Sequence, residues 1–222
     1  MILPDRKLVT TDDGSHTILA DDIGEHYHST FGAVQESRHV YIVNGFEVIE
    51  RSPVKLLEVG FGTGLNALLT LVNCSSRRLR TYYTGIDNYR LDKELIERLN
   101  YPDIINQGDR FYFNRIHQAR WNGEEEINKY FVIMKKEADL LKTELTGEYD
   151  IIYYDAFAPD FQPELWSENI ILSVAGLLSK GGIFVTYSAS GALRRHLRKA
   201  GLLVENPPGP PGKRQITRAL KE

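Results

Sequence analysis

The sequence predicts a Rossmann-like α/β fold, a mostly parallel sheet covered on both faces by helices, and three observations predict it. From Val54 onward, apolar runs suited to strands alternate with amphipathic runs suited to helices. The first such strand runs into Leu56-Leu57-Glu58-Val59-Gly60-Phe61-Gly62-Thr63-Gly64-Leu65-Asn66, with glycines at every second position and a helix former at once behind them. A second apolar run, 81–86, ends in Asp87, where a carboxylate can hold ribose hydroxyls.

The remaining elements follow in order. Residues 1–50 read as an N-terminal extension or lid, and 51–222 as the Rossmann-like domain. In the extension, Lys7-Leu8-Val9-Thr10-Thr11 and His16-Thr17-Ile18-Leu19-Ala20 flank Asp12-Asp13-Gly14-Ser15, a hairpin signal. An amphipathic stretch covers 34–43. Strands are expected at 55–59, 81–86, 130–134, 150–155, 182–188, 202–206 and near 214–220, seven in all with the last antiparallel. Helices are expected at 64–73, 91–99, 137–145, 164–178 and 191–200. The segment 101–129, with Trp121 and Glu124-Glu125-Glu126, is an insertion with no element assigned. Asn206-Pro207-Pro208-Gly209-Pro210-Pro211-Gly212-Lys213-Arg214 is a stiff, sharply bent loop that presents two cations.

Composition narrows the function classes. The 222 residues, 42 % apolar and 26 % charged, are those of an ordinary globule. No apolar run is long enough to cross a bilayer, and the first residues lack the pattern of a signal peptide. Together with a single cysteine, Cys74, this leads us to expect a cytoplasmic protein. None of the six histidines forms a metal-ligand cluster, so no metal is expected, and no Ser/His/Asp arrangement stands out. Nine Lys/Arg against two Glu between Gly176 and Glu222 give a basic end to a chain of net charge −3. Such asymmetry suits either contact with a polyanion or a solvated charged helix.

The glycine loop indicates which nucleoside is bound. Dinucleotide sites read G-x-G-x-x-G and aim a helix N-terminus at a pyrophosphate. Here the spacing is G-x-G-x-G, and Glu58 stands two residues before the first glycine. A carboxylate there repels pyrophosphate but suits an ammonium or sulfonium, which favours S-adenosylmethionine over NAD. A further strand, Tyr149-Asp150-Ile151-Ile152-Tyr153-Tyr154-Asp155, ends in an acid and is followed by Ala156-Phe157-Ala158-Pro159. The strand-tip rule puts Asp155 in the same crevice as the glycines and Asp87. Phe157 and Trp166 are candidates to stack a flat substrate, and Pro159 to wall the pocket. Glu137, with Asp139 as the alternative, is the candidate acceptor for an adenine amino group, against a plain helix N-cap.

The glycine loop, Asp155-Ala156-Phe157-Ala158-Pro159, Pro163-Glu164-Leu165-Trp166, Gln35-Glu36-Ser37-Arg38-His39-Val40-Tyr41 and Pro208-Gly209-Pro210-Pro211-Gly212-Lys213-Arg214 together resemble the MnmC-type tRNA methyltransferases. The resemblance runs from about Glu25 to Leu220. It implies a class I S-adenosylmethionine-dependent fold, and methylation of 5-aminomethyl-2-thiouridine at the tRNA wobble position. It implies S-adenosylmethionine cradled by Gly60, Gly62, Thr63 and Gly64, with Glu58 and Asn66 at its methionine end. Asp87 then meets the ribose, and Glu137 and Ala138 the adenine. Asp155 is the expected catalytic carboxylate. Phe157, Pro159 and Trp166 are expected to contact the base, and Arg194, Arg195, Lys213 and Arg214 the anticodon loop. Bifunctional members carry a flavin-dependent oxidase region that this sequence lacks, so the resemblance is to the stand-alone form, without FAD and with room for a separate oxidase partner. Gln215 replaces a glutamate usual after the Lys-Arg pair, and residues 1–24 show no family pattern. Two rivals share the fold: a small-molecule amine methyltransferase or aminopropyltransferase, and an inactive RNA-binding module.

Overall fold

The computed structural model describes residues 6–105 and 109–222; the reading of the first five residues and part of the 101–129 insertion lie outside them. Strands β1 (Arg6–Thr10), β2 (His16–Ala20) and β3 (Glu25–His26) form a small antiparallel sheet. The β1–β2 turn is closed by Asp13, whose Oδ1 accepts from the Ser15 amide at 2.9 Å and whose Oδ2 accepts from the Gln35 amide at 2.9 Å. One aspartate thus ties the hairpin to the start of helix α1 (Ala33–Ser37), where free amides need acceptors. The chain continues as a π-helical turn, Arg38–Val43. That wider winding is a feature often found beside functional sites.

The large sheet is built from β4 (Val54–Val59), β5 (Thr81–Asp87), β6 (Glu124–Asn128), β7 (Phe131–Glu137), β8 (Tyr149–Tyr154), β9 (Leu178–Thr186), β10 (Leu203–Glu205) and β11 (Thr217–Leu220). Their spatial order is β10-β11-β9-β8-β4-β5-β7-β6. The five central strands run parallel, while β6, against β7, and β11, between β9 and β10, pair antiparallel. Helices α2 (Leu65–Arg77), α3 (Lys93–Glu97), α4 (Tyr101–Ile105), α5 (Arg110–Gln118), α6 (Glu168–Gly176) and α7 (Gly191–Lys199) supply the cover. One apolar core joins α2, α5 and the π turn to one sheet face, through Leu68, Leu71, Phe113, Tyr41 and Tyr83. The other joins α6 and α7 to the opposite face, through Ile171, Val174, Leu193 and Phe184.

Three expectations need correction. The sheet has eight strands, because β6 adds an antiparallel edge from within the unassigned insertion, which also holds α4 and α5. No helix covers 137–145: β7 continues to Glu137, and a turn follows in which Lys142 donates its amide to the Asp139 carbonyl at 3.0 Å. Asp139 Oδ1 accepts from the Leu141 amide at 2.9 Å, a local side-chain bond that competes with helix, and Ala138, Leu140 and Leu145 pack on the core from this irregular segment. The helix expected over 164–178 is split, because Ser167 at φ −62, ψ 154 separates the 3-10 turn Pro163–Trp166 from α6.

This topology decides where a ligand can sit. After β4 the chain moves outward through β5 to β7, and β8 then starts on the other side of β4. The crevice at such a reversal is where open α/β sheets bind ligands.

Candidate active site

A cavity of about 590 Å³ lies at the carboxyl ends of the five parallel strands. Gly60, Gly62, Thr63 and Asn66 lie at its centre, beyond β4. Asp87 and Ala138, with Asp139 to Leu141, form one end beyond β5 and β7. Asp155 to Phe157 and Tyr187 form the other end beyond β8 and β9, under a cover from the N-terminal segment that includes Tyr27 and Phe31.

The glycine loop is shaped by close backbone approach. Gly60 has φ +88, and a Cβ there would stand 2.3 Å from the Asp155 carbonyl oxygen. The β4 and β8 tips can therefore touch only if residue 60 has no side chain. The Asp155 amide donates to the Val59 carbonyl at 2.8 Å, which fixes the two tips together. Asp87 closes the loop from the other side: its Oδ2 accepts from the Gly62 amide at 2.8 Å and its Oδ1 from the Tyr89 amide at 2.9 Å. Burial raises Asp87 above its ordinary carboxyl range while these amides pull it down.

Asp155 is held by side chains from two other elements, the π turn and α2. The Tyr41 hydroxyl donates to its Oδ1 at 2.6 Å, and Asn66 Nδ2 to its Oδ2 at 2.7 Å. Burial pushes Asp155 up to about 7, against the lowering effect of the Tyr41 and Asn66 bonds. Asn66 Nδ2 also reaches Glu58 Oε1 at 2.9 Å, and the Tyr83 hydroxyl donates to Glu58 Oε2 at 2.6 Å. Asn66 Oδ1, buried at the cavity wall, has no hydrogen-bond partner. Tyr27 stands edge-on to Phe157, with ring centroids 4.9 Å apart. Glu25 and Glu36 line the same end as Asp155, facing one lysine, Lys213. Glu25 accepts the Ala158 amide at 2.9 Å, and Lys213 Nζ lies 2.6 Å from Glu36 Oε1.

Gly60, Gly62, Thr63, Asn66, Asp87, Ala138, Asp155, Phe157 and Lys213 are thus brought to one cavity. Other expected residues are placed elsewhere. Glu58 is fully buried beneath the loop and pushed far above the usual carboxylate range by that burial. It positions Asn66 rather than facing a ligand, so the charge argument drawn from it fails. Gly64, at φ +71, faces His117 and forms the N-cap of α2. Glu137 points away from the cavity and pairs with Arg90, because strand alternation gives the cavity side to Ala138. Trp166 offers no stacking face: it is buried under Tyr154 and donates its indole N–H to the Phe157 carbonyl at 2.8 Å. Pro159 lines a neighbouring cavity of about 670 Å³ with Lys213 and Arg214. Arg194 braces the loop that bears these cations, through Gln215 Oε1, the Ile216 carbonyl (each 3.3 Å) and Thr217 Oγ1 (3.2 Å). Arg195 and Arg214 are exposed.

Comparison with known proteins is decisive on class. Residues 101–222 match a family model described as S-adenosyl-L-methionine-dependent methyltransferase. The chain belongs to that family. Its methyltransferase fold is also found in MnmC2 of Aquifex aeolicus, at 24 % identity and TM-score 0.78, covering 98 % of this chain and 71 % of that one. Spermidine synthase of Thermotoga maritima shares the fold more loosely, at 14 % identity and TM-score 0.57, covering 100 % of this chain and 70 % of that one. In sequence, the methyltransferase is homologous to two bifunctional proteins MnmC of tRNA 5-methylaminomethyl-2-thiouridine biosynthesis. It is 30 % identical to that of Aromatoleum aromaticum over 96 % of this chain, and 26 % identical to that of Leptospira borgpetersenii over 90 %. It is therefore an MnmC-like methyltransferase, spanning 35 % and 33 % of those two relatives. Among the described residues, no helix is long and apolar enough to cross a membrane.

The cavity fits the family's cofactor. The unpartnered Asn66 Oδ1 is an acceptor suited to an ammonium, Asp87 a carboxylate suited to ribose hydroxyls, and Leu140 and Leu141 beside Ala138 an apolar wall suited to a purine.

Proposed function

We propose that this protein methylates the primary amine of 5-aminomethyl-2-thiouridine at the wobble position of tRNA. The observation that carries this reading is Asp155, held by Tyr41 and Asn66 at the end of the cavity opposite the purine wall, among Glu25 and Glu36. Three carboxylates facing one lysine suit a cationic amine. The homology to the methyltransferase portion of MnmC, the exposed Arg195 and Arg214 and the aromatic wall support an RNA-borne amine over a free one.

S-adenosylmethionine, when bound, supplies a methyl group activated by its sulfonium. Asn66 Oδ1 and the glycine-loop backbone hold its methionine end, Asp87 its ribose, and Ala138 to Leu141 its adenine. On the other side, Asp155 orients the substrate amine and accepts its surplus proton. A free alkylamine has a pKa of about 10 and no lone pair while protonated. Asp155, raised to about 7, is a stronger base than an ordinary aspartate yet still ionised just above neutrality. Tyr41 and Asn66 fix its oxygens, and Phe157 with Tyr27 keeps water away.

A second reading draws on the same acidic lining, which suits a small polyamine equally well. Labelled S-adenosylmethionine offered with tRNA bearing the aminomethyl base, with unmodified tRNA and with polyamines separates the two. Label entering only the first acceptor supports the proposal, and label entering polyamines alone refutes it.

The cofactor assignment carries its own test. Asp87→Ala removes the acceptor for two loop amides and the ribose partner, so S-adenosylhomocysteine binding should weaken by about 10- to 100-fold in calorimetric titration. Unchanged affinity would remove Asp87 from the site.

A further inference from the structure

The mouth of the cavity carries an aromatic ring that the fold leaves in the open. Phe31 is 53 % exposed although it lines the cavity. Its backbone is held: the Phe31 amide donates to Ser29 Oγ at 3.2 Å, and the Ser29 amide to Glu36 Oε2 at 2.9 Å. The ring rests against the bent proline-glycine loop at Gly212, where a Cβ would stand 2.5 Å from a ring carbon. Gly212 has φ +84, so this close approach is available to glycine and strained for other residues. The loop that presents Lys213 and Arg214 therefore rests directly on Phe31, next to the second cavity bounded by Pro159, Tyr187 and Ser188. Lys213 Nζ lies 4.1 Å from the Tyr187 ring centroid and is paired with Glu36, while Arg214 is exposed.

An exposed ring on a held backbone, with an exposed arginine two residues along the loop it touches, is a combination that suits unpaired nucleotides: the ring stacks a base and the cation meets its phosphate. We propose that Phe31 is a stacking platform for the unpaired nucleobase adjacent to the one being methylated, with Arg214 on the phosphate between them. This rests on the tRNA reading above and adds to it a residue and a mode of recognition. The charge of the loop favours RNA as the occupant over an apolar protein segment. The platform accounts for how a loop nucleotide is brought to Asp155: a neighbour held outside leaves the target base splayed inward.

Steady-state methyl transfer to tRNA bearing the aminomethyl base tests the proposal, with wild type, Phe31→Leu and Phe31→Tyr. Leucine keeps apolar contact with Gly212 but removes the ring; tyrosine keeps the ring. KM for tRNA should rise about tenfold in Phe31→Leu, with a smaller change in kcat, and return toward wild type in Phe31→Tyr. In parallel, 2-aminopurine placed beside the wobble base should be quenched on binding wild type and Phe31→Tyr, and not Phe31→Leu. If wild type transfers methyl to this tRNA while Phe31→Leu keeps the wild-type KM and quenching, the platform is wrong and the functional reading stands. If wild type transfers none, the functional reading falls and the platform with it.

Discussion

Asp155→Asn should lower kcat by about 100-fold or more while leaving cofactor affinity within a few-fold of wild type. The amide keeps the size of the carboxyl and can still bond Tyr41 and Asn66, so the cavity keeps its shape. What it loses is a base. The wild-type rate should rise with pH through about 7, as Asp155 ionises, and level off above it. Tyr41→Phe removes a donor that stabilises the carboxylate, so that rise should move to higher pH. Asp155→Asn should abolish it. Stability provides an independent check. Burial raises Asp155 in the folded protein above its ordinary 3.8, so the ionised form is disfavoured by folding. The cost is absent below about pH 4, grows as pH rises toward 7, and is full above it. Asp155→Asn should therefore be the more stable protein at pH 8, by on the order of 2 kcal/mol after allowance for solvent screening, with the gain fading toward pH 4. Thermal unfolding at the two pH values measures this. A wild-type turnover in Asp155→Asn would remove the carboxylate from the chemistry.

Gly60→Ala should be among the most damaging single-methyl additions in the chain. Its Cβ would meet backbone atoms of Asp155 at 2.3 and 2.8 Å, and these cannot swing aside as a side chain can. Relief requires parting the tips of β4 and β8 or changing a φ of +88, and both hold the Asp155 carboxylate in place. Overpacking against fixed backbone together with the left-handed penalty comes to roughly 3–4 kcal/mol, or a Tm lower by about 10 °C for a chain of this size. Gly176→Ala, where nothing lies within 4 Å of the added carbon, should be neutral to slightly stabilising. A melting comparison of the two variants separates close strand approach from a general intolerance of alanine.

Four of the five parallel strands, β4, β5, β7 and β8, were legible as apolar runs that end at or just before a glycine or an acid, and the strand-tip rule then brought Gly62, Asp87 and Asp155 to one crevice. Residues that depend on alternation at strand ends were not. Glu58 and Glu137 are acids at plausible spacing, but one side chain enters the core and the other faces solvent, which pattern alone does not reveal. Trp166 reads as a stacking surface in sequence, and only its indole bond to Phe157 shows it to be a buttress. Tyr41 was missed altogether. It sits on a π turn whose winding no helical period predicts, and its contact with Asp155 spans 114 positions of sequence. Its sole signal was membership of the Gln35-Glu36-Ser37-Arg38-His39-Val40-Tyr41 segment, which carried no assigned role. A count of charges in the basic C-terminal end does not reveal partners either: Lys199, Lys213 and Arg218 each face an acid, and Arg194 is bonded to β11 and the loop before it, while Arg195 and Arg214 are exposed.

The most direct test of the account is a crystal structure of the protein soaked with S-adenosylhomocysteine. Its ribose should lie on Asp87 and its amino group on Asn66, with the sulfur turned toward the Asp155 carboxylate. A nucleoside bound outside the Gly60–Asn66 crevice, or one whose sulfur faces away from Asp155, would contradict it.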